Sequence, residues 1–249
     1  MAAIRTARER AREELTRAIK DEARRQLGIE GPQQLSLRAV ARDLGMASSA
    51  LYRYFPSRDD LLTALIVDAY SDLAAAVDRA VAAASEIAAA APGPAAAGST
   101  QAGAAARARW RALSSAVRDW AREHPHEYAL IYGTPVPGYH APQETIELAV
   151  RVPLALLDTI RPAAGHLEAA PGRPVSAGLA AQLAPIAAQY APELPQTVIA
   201  RSMVAWTQLF GMISFELFGH LAGSADPADE FFAHAVEQMA DFIGLPDVR

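Results

Sequence analysis

Residues 47–58 read Ala-Ser-Ser-Ala-Leu-Tyr-Arg-Tyr-Phe-Pro-Ser-Arg, crowding hydroxyl, phenol and guanidinium groups into a dozen positions. Such groups donate hydrogen bonds to phosphate oxygens, and arginine also reads base edges. The chemistry on offer is recognition of a polyanion. Bond-making chemistry has less to stand on. The 249-residue chain has no cysteine, which removes disulfides, thiolate metal sites and cysteine nucleophiles and fits a reducing compartment. His124 and His126, with His140 downstream, offer two ligands of a metal site. Pro125 lies between the pair and no third-ligand motif follows, so helix capping or surface exposure accounts for them better than a metal does. No glycine-rich phosphate loop, nucleophile elbow or paired-acid motif occurs. The expectation is a binding protein, not an enzyme, with no cofactor and no metal.

The elements that would hold these groups are helices. No stretch alternates cleanly enough for a strand, so the fold class expected is all-α. A first helix is expected over residues 5–27, with Ala11, Leu15, Ala18, Ile19, Ala23 and Leu27 on one face and Gly28 as its stop. A short second helix opens at Ser36, a good N-cap, and carries Leu37, Val40, Ala41 and Leu44 to a stop at Gly45. A third spans residues 47–55 and stops at Pro56. A fourth begins at Ser57, with Asp60 in a capping-box-like position, and continues past Val81.

Two short helices joined by a glycine turn form a helix-turn-helix, which lays its second helix in a major groove. With Ser48 as origin and ~100° per residue, Leu51 and Phe55 centre near about 320°, while Ser49 and Arg53 lie at roughly 100° and 140°, opposite. Arg53 and Ser49 then face base edges, with Tyr52 and Tyr54 on the shoulders where phosphate strands would flank the helix. Small residues at 47–50, Ala47 and Ser48 among them, allow close backbone approach. Arg58 falls in the first turn of the fourth helix, where the dipole favours an anion. Arg38 faces away from its own apolar stripe. The same pattern also allows Tyr52 or Tyr54 to cover the edge of a core.

The charge distribution agrees with binding through one end. The whole chain carries −5, yet residues 1–60 hold 12 Lys+Arg against 9 Asp+Glu, which is +3, leaving −8 elsewhere. No uninterrupted apolar run reaches transmembrane length, and the arginine-rich N-terminus has no apolar core, so a soluble cytoplasmic protein without membrane contact is expected. The body continues as helix. The tract from residue 88 to 103 reads as a loop, with helix resuming near Ala104. A short helix ends at Tyr132 before the proline-rich 133–142. Residues 143–161 read as one helix kinked at Pro153, residues 161–178 as a mobile stretch, and further helices cover 179–190, 194–221 and 227–243. Residues 203–223 are apolar nearly all round with Glu216 their one acid. A helix of that kind must bury more than one face, and a second subunit would supply the surface. Arg107, Arg109 and Arg111 read as a solvated face.

The segment LSLRAVARDLGMASSALYRYFPSRDDLL, residues 35–62, resembles the DNA-binding segment of TetR/AcrR-family one-component regulators. The features that carry it are the Ala-Val-Ala run opening into Gly45, the Leu51-Tyr52-x-Tyr54-Phe55 string, and a basic residue at 58 before a Leu-Leu pair. The family usually has lysine at 58; arginine keeps the charge. The likeness covers about residues 8–66. It implies that Ser36, Tyr52, Tyr54 and Arg58 bind phosphates and that Arg38, Ser48, Ser49 and Arg53 lie nearest the bases. Arg5, Arg8, Arg10 and Arg12 either form a basic arm or a solvated helix start. REHPHEYALIYGTPVPGYHAP and WTQLFGMISFELFGHL resemble a C-terminal subtype, WHG-like, whose last two helices pair with a partner's. That implies a homodimer interface drawn from Trp206, Phe210, Ile213, Leu217, Phe232, Val236, Met239 and Ile243. An effector cavity would draw on Trp110, Trp120, Tyr128, Tyr132, Trp206 and Phe210, each of which is otherwise a plain core residue. The expected domains are a reader over 1–56 and a ligand-binding, dimerising domain over 57–249. The expected activity is repression from a palindromic double-stranded DNA operator, relieved by a small-molecule effector. The alternative is a dimeric DNA-binding module without a ligand.

Overall fold

The computed structural model describes residues 2–90, 98–167 and 174–245. Among them there are no strands. The α-helices run α1 (Ala2–Glu30), α2 (Leu37–Asp43), α3 (Ser48–Leu51), α4 (Arg58–Ala90), α5 (Gly98–Glu123), α6 (Pro125–Tyr132), α7 (Gln143–Ala149), α8 (Arg151–Ile160), α9 (Ala177–Tyr190), α10 (Gln196–Leu217) and α11 (Asp229–Ile243). They gather into two compact units. The first takes Met1–Ser71 and His124–Ala149, the second Asp72–Glu123 and Val150–Arg249. The division falls inside α4.

In the first unit, the apolar stripe of α1 buries Ile19, Ala23 and Leu27 against Leu37 and Val40 of α2, Leu51 of α3, and Leu61, Leu62 and Leu65 of α4. Lys20 and Arg24 tie α1 to α4 through Asp68, at 2.7 and 2.6 Å. Gly28 does not stop α1, which runs on to Glu30. Its role is close approach: a Cβ there would sit 2.9 Å from the His126 ring of α6. Gly31, at φ 77°, makes the turn instead.

The link between α2 and α3 is decided by local chemistry. The Ser36 hydroxyl caps α2, accepting from the Ala39 N–H at 3.4 Å. Past the other end, the N–H groups of Gly45 and Met46 bond to the carbonyls of Arg42 and Ala41 at 3.0 and 2.8 Å. This is the paired closure that a left-handed residue after a helix permits, and Gly45 supplies it with φ 65°. Nothing lies within 4 Å of a Cβ added there. Gly45→Ala is therefore expected to cost only the left-handed strain of an L-residue, roughly 1–2 kcal/mol, with Gly45→Asn recovering part of it. Thermal unfolding checks this; an alanine variant as stable as the parent would show that the turn is not held this way.

α3 is shorter than the expected 47–55. After Leu51 the chain tightens into turns, with Arg53 N–H reaching Ala50 O at 3.3 Å and Tyr54 N–H reaching Leu51 O at 2.8 Å. Pro56, lacking an N–H, follows. Ser57 then caps α4: its Oγ accepts from Asp60 N–H at 3.1 Å and donates to the Asp60 carboxylate at 2.7 Å.

In the second unit, Trp110, Leu113 and Val117 of α5 pack in a core shared with Leu156 and Ile160 of α8, Leu209 and Ile213 of α10, and Val236 and Met239 of α11. α5 starts at Gly98, earlier than expected; the neighbouring 91–97, part of the expected loop, lie outside the described residues. The expected helix over 143–161 is two, parted at Val150. Pro153 has no N–H for the carbonyl four residues back, and its ring crowds that carbonyl at Ala149. Of the stretch expected to be mobile, Arg161–His166 form a 3₁₀ helix and 168–173 lie outside the described residues.

Arg107, Arg109 and Arg111 do not form the expected solvated face. Arg107 is 3% exposed. Its guanidinium binds Glu237 and Asp241 of α11 and the Leu245 carbonyl. Arg109 is half-buried and donates twice to Thr159 O at the end of α8. Arg111 is exposed and shares Glu237 with Arg107. Between these two arginines the Glu237 carboxyl is pulled down to about 2, first by its bond to Arg111. The arginines that looked like solvent contacts pin α5 to α8 and α11.

α10 has the length and composition of a membrane-crossing helix, yet it packs against α5, α8, α9 and α11. The interface residues expected on α10 and α11 face inward. Phe210, Ile213, Phe232, Val236, Met239 and Ile243 are all buried in their own chain, and Trp206 and Leu217 are half-buried. The apolar side chains left exposed on these helices are Met203, Val204, Phe215, Phe231 and Phe242, with Phe218 directly after α10, each at least 40% exposed.

Candidate nucleic-acid interface and ligand cavity

The reading surface is built on the core of the first unit. Leu51 is fully buried and Phe55 nearly so, and this anchors one side of α3 and its following turn. The opposite side is then outward by geometry. Ser49, Tyr52 and Arg53 are exposed, as are Ala47 at the start of α3 and Arg38 on α2. Ser36, Ser48, Tyr54 and Arg58 are half-buried around them. Tyr54 packs its ring on the core edge, and the Arg12 guanidinium lies over it at 5.9 Å from the centroid. That contact brings one of the N-terminal arginines beside α3. The side chain of Arg5 lies outside the described residues.

Charge on this unit is sorted by position. Asp21, Glu22, Asp43, Asp68 and Glu127 are engaged by Lys20, Arg24, Arg25 and Arg42. Arg25 and Asp43 show it from both sides: the bond to Glu22 raises the Arg25 pKa, and the bond to Arg42 lowers that of Asp43. Among the described residues Arg38 and Arg53 have no ion pair. These two exposed guanidiniums are not neutralised by an acid of the described residues.

Arg58 is held differently from what its charge alone suggests. Its Nη2 donates to Pro32 O at 2.7 Å and Nε to Leu35 O at 3.2 Å, while Nη1 meets Asp59 at 3.4 Å. The guanidinium braces the loop that presents Ser36, a fixed position that no helical-periodicity argument could reveal.

The six aromatic cavity candidates do not converge. Tyr128 and Tyr132 are in the first unit, their rings tilted at 42° with centroids 5.2 Å apart, and Tyr132 meets Tyr70 edge-on at 6.1 Å. Burial pushes the phenols of Tyr132 and Tyr70 above their ordinary range. Beside them, Ile66, Tyr70, Leu130, Val136, Tyr139 and Ile146 line a cavity of about 320 Å³. Tyr139 is joined to Thr63 by a 2.9 Å hydroxyl bond. Trp110, Trp120, Trp206 and Phe210 are in the second unit. Trp110 is fully buried and donates its indole N–H to Val236 O at 2.8 Å; Trp120 and Phe210 are also buried.

Of the six, Trp206 lines a cavity of about 220 Å³ in the second unit. Its other walls are Val150, Pro153, Leu154, Leu156 and Leu157 from the α8 segment, Ile186 and Tyr190 of α9, and Ile199, Ser202 and Met203 of α10. Sequence reasoning missed α9 as a wall. The available signal was its own apolar content, which exceeds what a surface helix needs. As for the histidines, His124 occupies the N-cap position of α6 and His126 covers Gly28.

Residues 19–65 match the family described as bacterial regulatory proteins, tetR family, and residues 110–239 match the tetracyclin repressor-like C-terminal domain. The chain belongs to the TetR family. Curated relatives agree along nearly the whole length. HTH-type transcriptional regulators of Mycobacterium tuberculosis and Mycobacterium bovis are 40% identical over 236 residues, covering 90% of this chain and 90% of each relative. Among solved structures, the regulatory protein SCO4313 is 33% identical with a TM-score of 0.71, over 93% of this chain and 97% of that one. The TetR-family transcriptional regulator PfmR of Thermus thermophilus, at 17% identity and a TM-score of 0.52 over 93% and 99% of the two chains, shares the fold. TetR-family regulators bind DNA and dimerise. The reading surface described above lies within the N-terminal match, and the 220 Å³ cavity lies within the C-terminal one.

Proposed function

We propose that this TetR-family regulator is a cytoplasmic homodimer that represses transcription from a palindromic operator and is released by a small-molecule effector. Residues 1–56 read the DNA, and residues 57–249 dimerise and bind the effector. The observation that carries the reading is the outward face of α3: Ser49, Tyr52 and Arg53 stand exposed over the buried Leu51 and Phe55, with Arg38 beside them and no acid paired to either arginine. Arg53 and Arg38 are assigned to base edges together with Ser48 and Ser49. Tyr52, Tyr54 and Ser36 are assigned to phosphates. Ala47 allows the backbone close to the duplex. Arg58 acts there both through Nη1 and by bracing the Ser36 loop.

Dimerisation is assigned to the exposed side of α10 and α11. Val204, Gln208, Gly211 and Phe215 recur on one face of α10, and Phe231, His234, Gln238 and Phe242 on one face of α11, all of them exposed. This spacing makes one stripe per helix, and Gly211 lets a partner helix approach closely. The effector site is assigned to the cavity under α9. Effector binding lowers operator affinity by the ratio of effector affinities for the DNA-competent and DNA-incompetent states.

The test is operator selection from random duplex DNA, followed by titration of variants at several salt concentrations. Tyr52→Phe and Arg58→Ala are expected to weaken binding to all sequences, the arginine change also reducing the salt slope by about 1. Arg53→Ala is expected to cost about 1–3 kcal/mol and to relax base preference. If neither Tyr52→Phe nor Arg58→Ala changes operator affinity, the faces are misassigned. A selected operator that no compound in a broad thermal-shift screen releases would leave a DNA-binding module without ligand control.

A further inference from the structure

The start of α1 stands off the core. Leu15 packs against the core of the first unit, and every side chain from residue 7 to 14 is exposed. The helix needs no packing to persist there. Alanine, arginine and glutamate are strong helix formers, and the docked part of α1 has already met the cost of nucleation. Residues 7–14 therefore continue α1 outward for about 12 Å.

The charge on this projection is sorted by face. At ~100° per residue, Arg8 lies about 40° and the buried Ile19 about 20° from the direction of Arg12. Both arginines thus share the side on which α1 meets the core. Arg10 and Arg17 lie roughly 160° and 140° from Arg12, on the back, with Glu13 and Glu14 at about 100° and 160°. Glu9, at about 60°, is the acid nearest the front. Among the described residues neither Arg8 nor Arg12 has an ion pair. The contact with Tyr54 decides what this front lies beside. The Arg12 guanidinium is over that ring, 5.9 Å from its centroid, and Tyr54 closes the turn after α3 through its N–H to Leu51 O at 2.8 Å. Arg12 therefore sits on the flank of the surface formed by Ser49, Tyr52 and Arg53. Arg8 is one turn farther out, about 6 Å along the helix axis.

We propose that Arg8 and Arg12, the front of this projection, form a second DNA-binding surface that holds backbone phosphates beside the groove entered by α3, independently of base sequence. This rests on the assignment of α3 to operator DNA. The surface is continuous with the α3 face and carries the sign that a phosphate strand requires. Arg10 belongs to the same run of sequence but faces away and takes no part.

Front and back variants of equal charge separate a contact from a general field. The full chain is titrated, over a series of KCl concentrations, with the selected operator and with a random duplex of the same length. Arg8→Ala is expected to lower the slope of log affinity against log salt by about 0.9, and Arg8→Ala with Arg12→Ala by about 1.8. Affinity falls with both duplexes. Arg10→Ala with Arg17→Ala removes the same charge from the back and is expected to leave the slope nearly unchanged. Arg8→Lys keeps the cation and is expected to keep the slope. Arg8 is exposed, so its replacement does not disturb the fold, and far-ultraviolet circular dichroism confirms that helix content is retained. Equal loss from the front and back pairs would show a general charge effect and overturn the proposal. So would an Arg8→Ala slope equal to the parent's, which leaves a solvated helix start. A loss confined to the selected operator, with the random duplex unaffected, overturns the assignment to phosphates. In these three cases the α3 reading stands. A parent chain that binds neither duplex overturns that reading as well.

Discussion

Arg118→Ala is expected to destabilise the second unit by about 3–5 kcal/mol, a large fraction of the stability of a typical domain. Arg118 of α5 is 7% exposed. It grips Glu216 near the end of α10 with two bonds of 2.7 Å, and Asp229 at the start of α11 with a third of 2.9 Å. Its guanidinium also lies 4.6 Å from the Phe232 ring centroid. Deleting it strands Glu216, whose side chain is 17% exposed, as a buried carboxylate without its partner. Asp229 suffers less: it is well exposed and sits in the favourable first turn of α11. The effect belongs to the stranded charge more than to the lost pair. A Glu216→Leu change added to Arg118→Met should therefore recover much of the loss, as apolar replacements of buried ion pairs often do. All three tryptophans, Trp110, Trp120 and Trp206, lie in the second unit, so urea unfolding followed by tryptophan fluorescence reports this unit directly. A single Arg118→Ala variant with an unchanged midpoint would mean that the network contributes nothing.

Leu51→Ala is expected to cost about 2–5 kcal/mol and to remove operator binding, with the loss confined to the first unit. Leu51 has no exposed surface and sits among Leu37, Val40, Phe55 and Leu62. It is the peg that turns α3 so that Ser49, Tyr52 and Arg53 face outward. Truncation leaves a cavity in a unit too small to absorb it cheaply. Hydrogen exchange should show lost protection across α1, α2 and α3 while the tryptophan-reported transition stays in place. Arg53→Ala supplies the contrast: it should lose operator affinity with exchange protection intact. If Leu51→Ala keeps both protection and operator affinity, the anchoring of α3 described here is incorrect.

Salt dependence links these results to the charge pattern. Arg38 and Arg53 on the exposed face have no acid paired to them, whereas Lys20, Arg24, Arg25 and Arg42 of the same unit are engaged by its own carboxylates. The slope of operator affinity with salt should accordingly follow the reading-face arginines and not the arginine total of the chain.

The caps, the turn and the exposed side of α3 were legible before any coordinates because their determinants are close in sequence. Ser36 caps α2, Gly45 closes it, Pro56 ends the following segment and Ser57 starts α4, each through a neighbour no more than five residues away. Helical angle alone then separated Leu51 and Phe55 from Ser49 and Arg53, and the family likeness rested on the same residues. Apolar content likewise marked α10 as an element set apart from the surface helices.

What only the tertiary structure decided was which face. A helix that is apolar nearly all round gives no direction, so Leu209 and Ile213 of α10 proved to be core, while Val204 and Phe215 were left outside. Arg107 and Arg118 look like surface residues until Glu237, Asp241, Glu216 and Asp229, 98 to 134 positions away, are folded against them. Arg58 was recognisable as a cation, but its grip on Pro32 and Leu35 depends on the loop before α2 returning to the start of α4. The cavity under α9 required three successive helices, α8, α9 and α10, to fold against one another. Caps, turns and helical faces follow from short-range sterics and hydrogen bonding; partners for buried charge and the walls of a cavity follow from long-range packing, which no local pattern encodes.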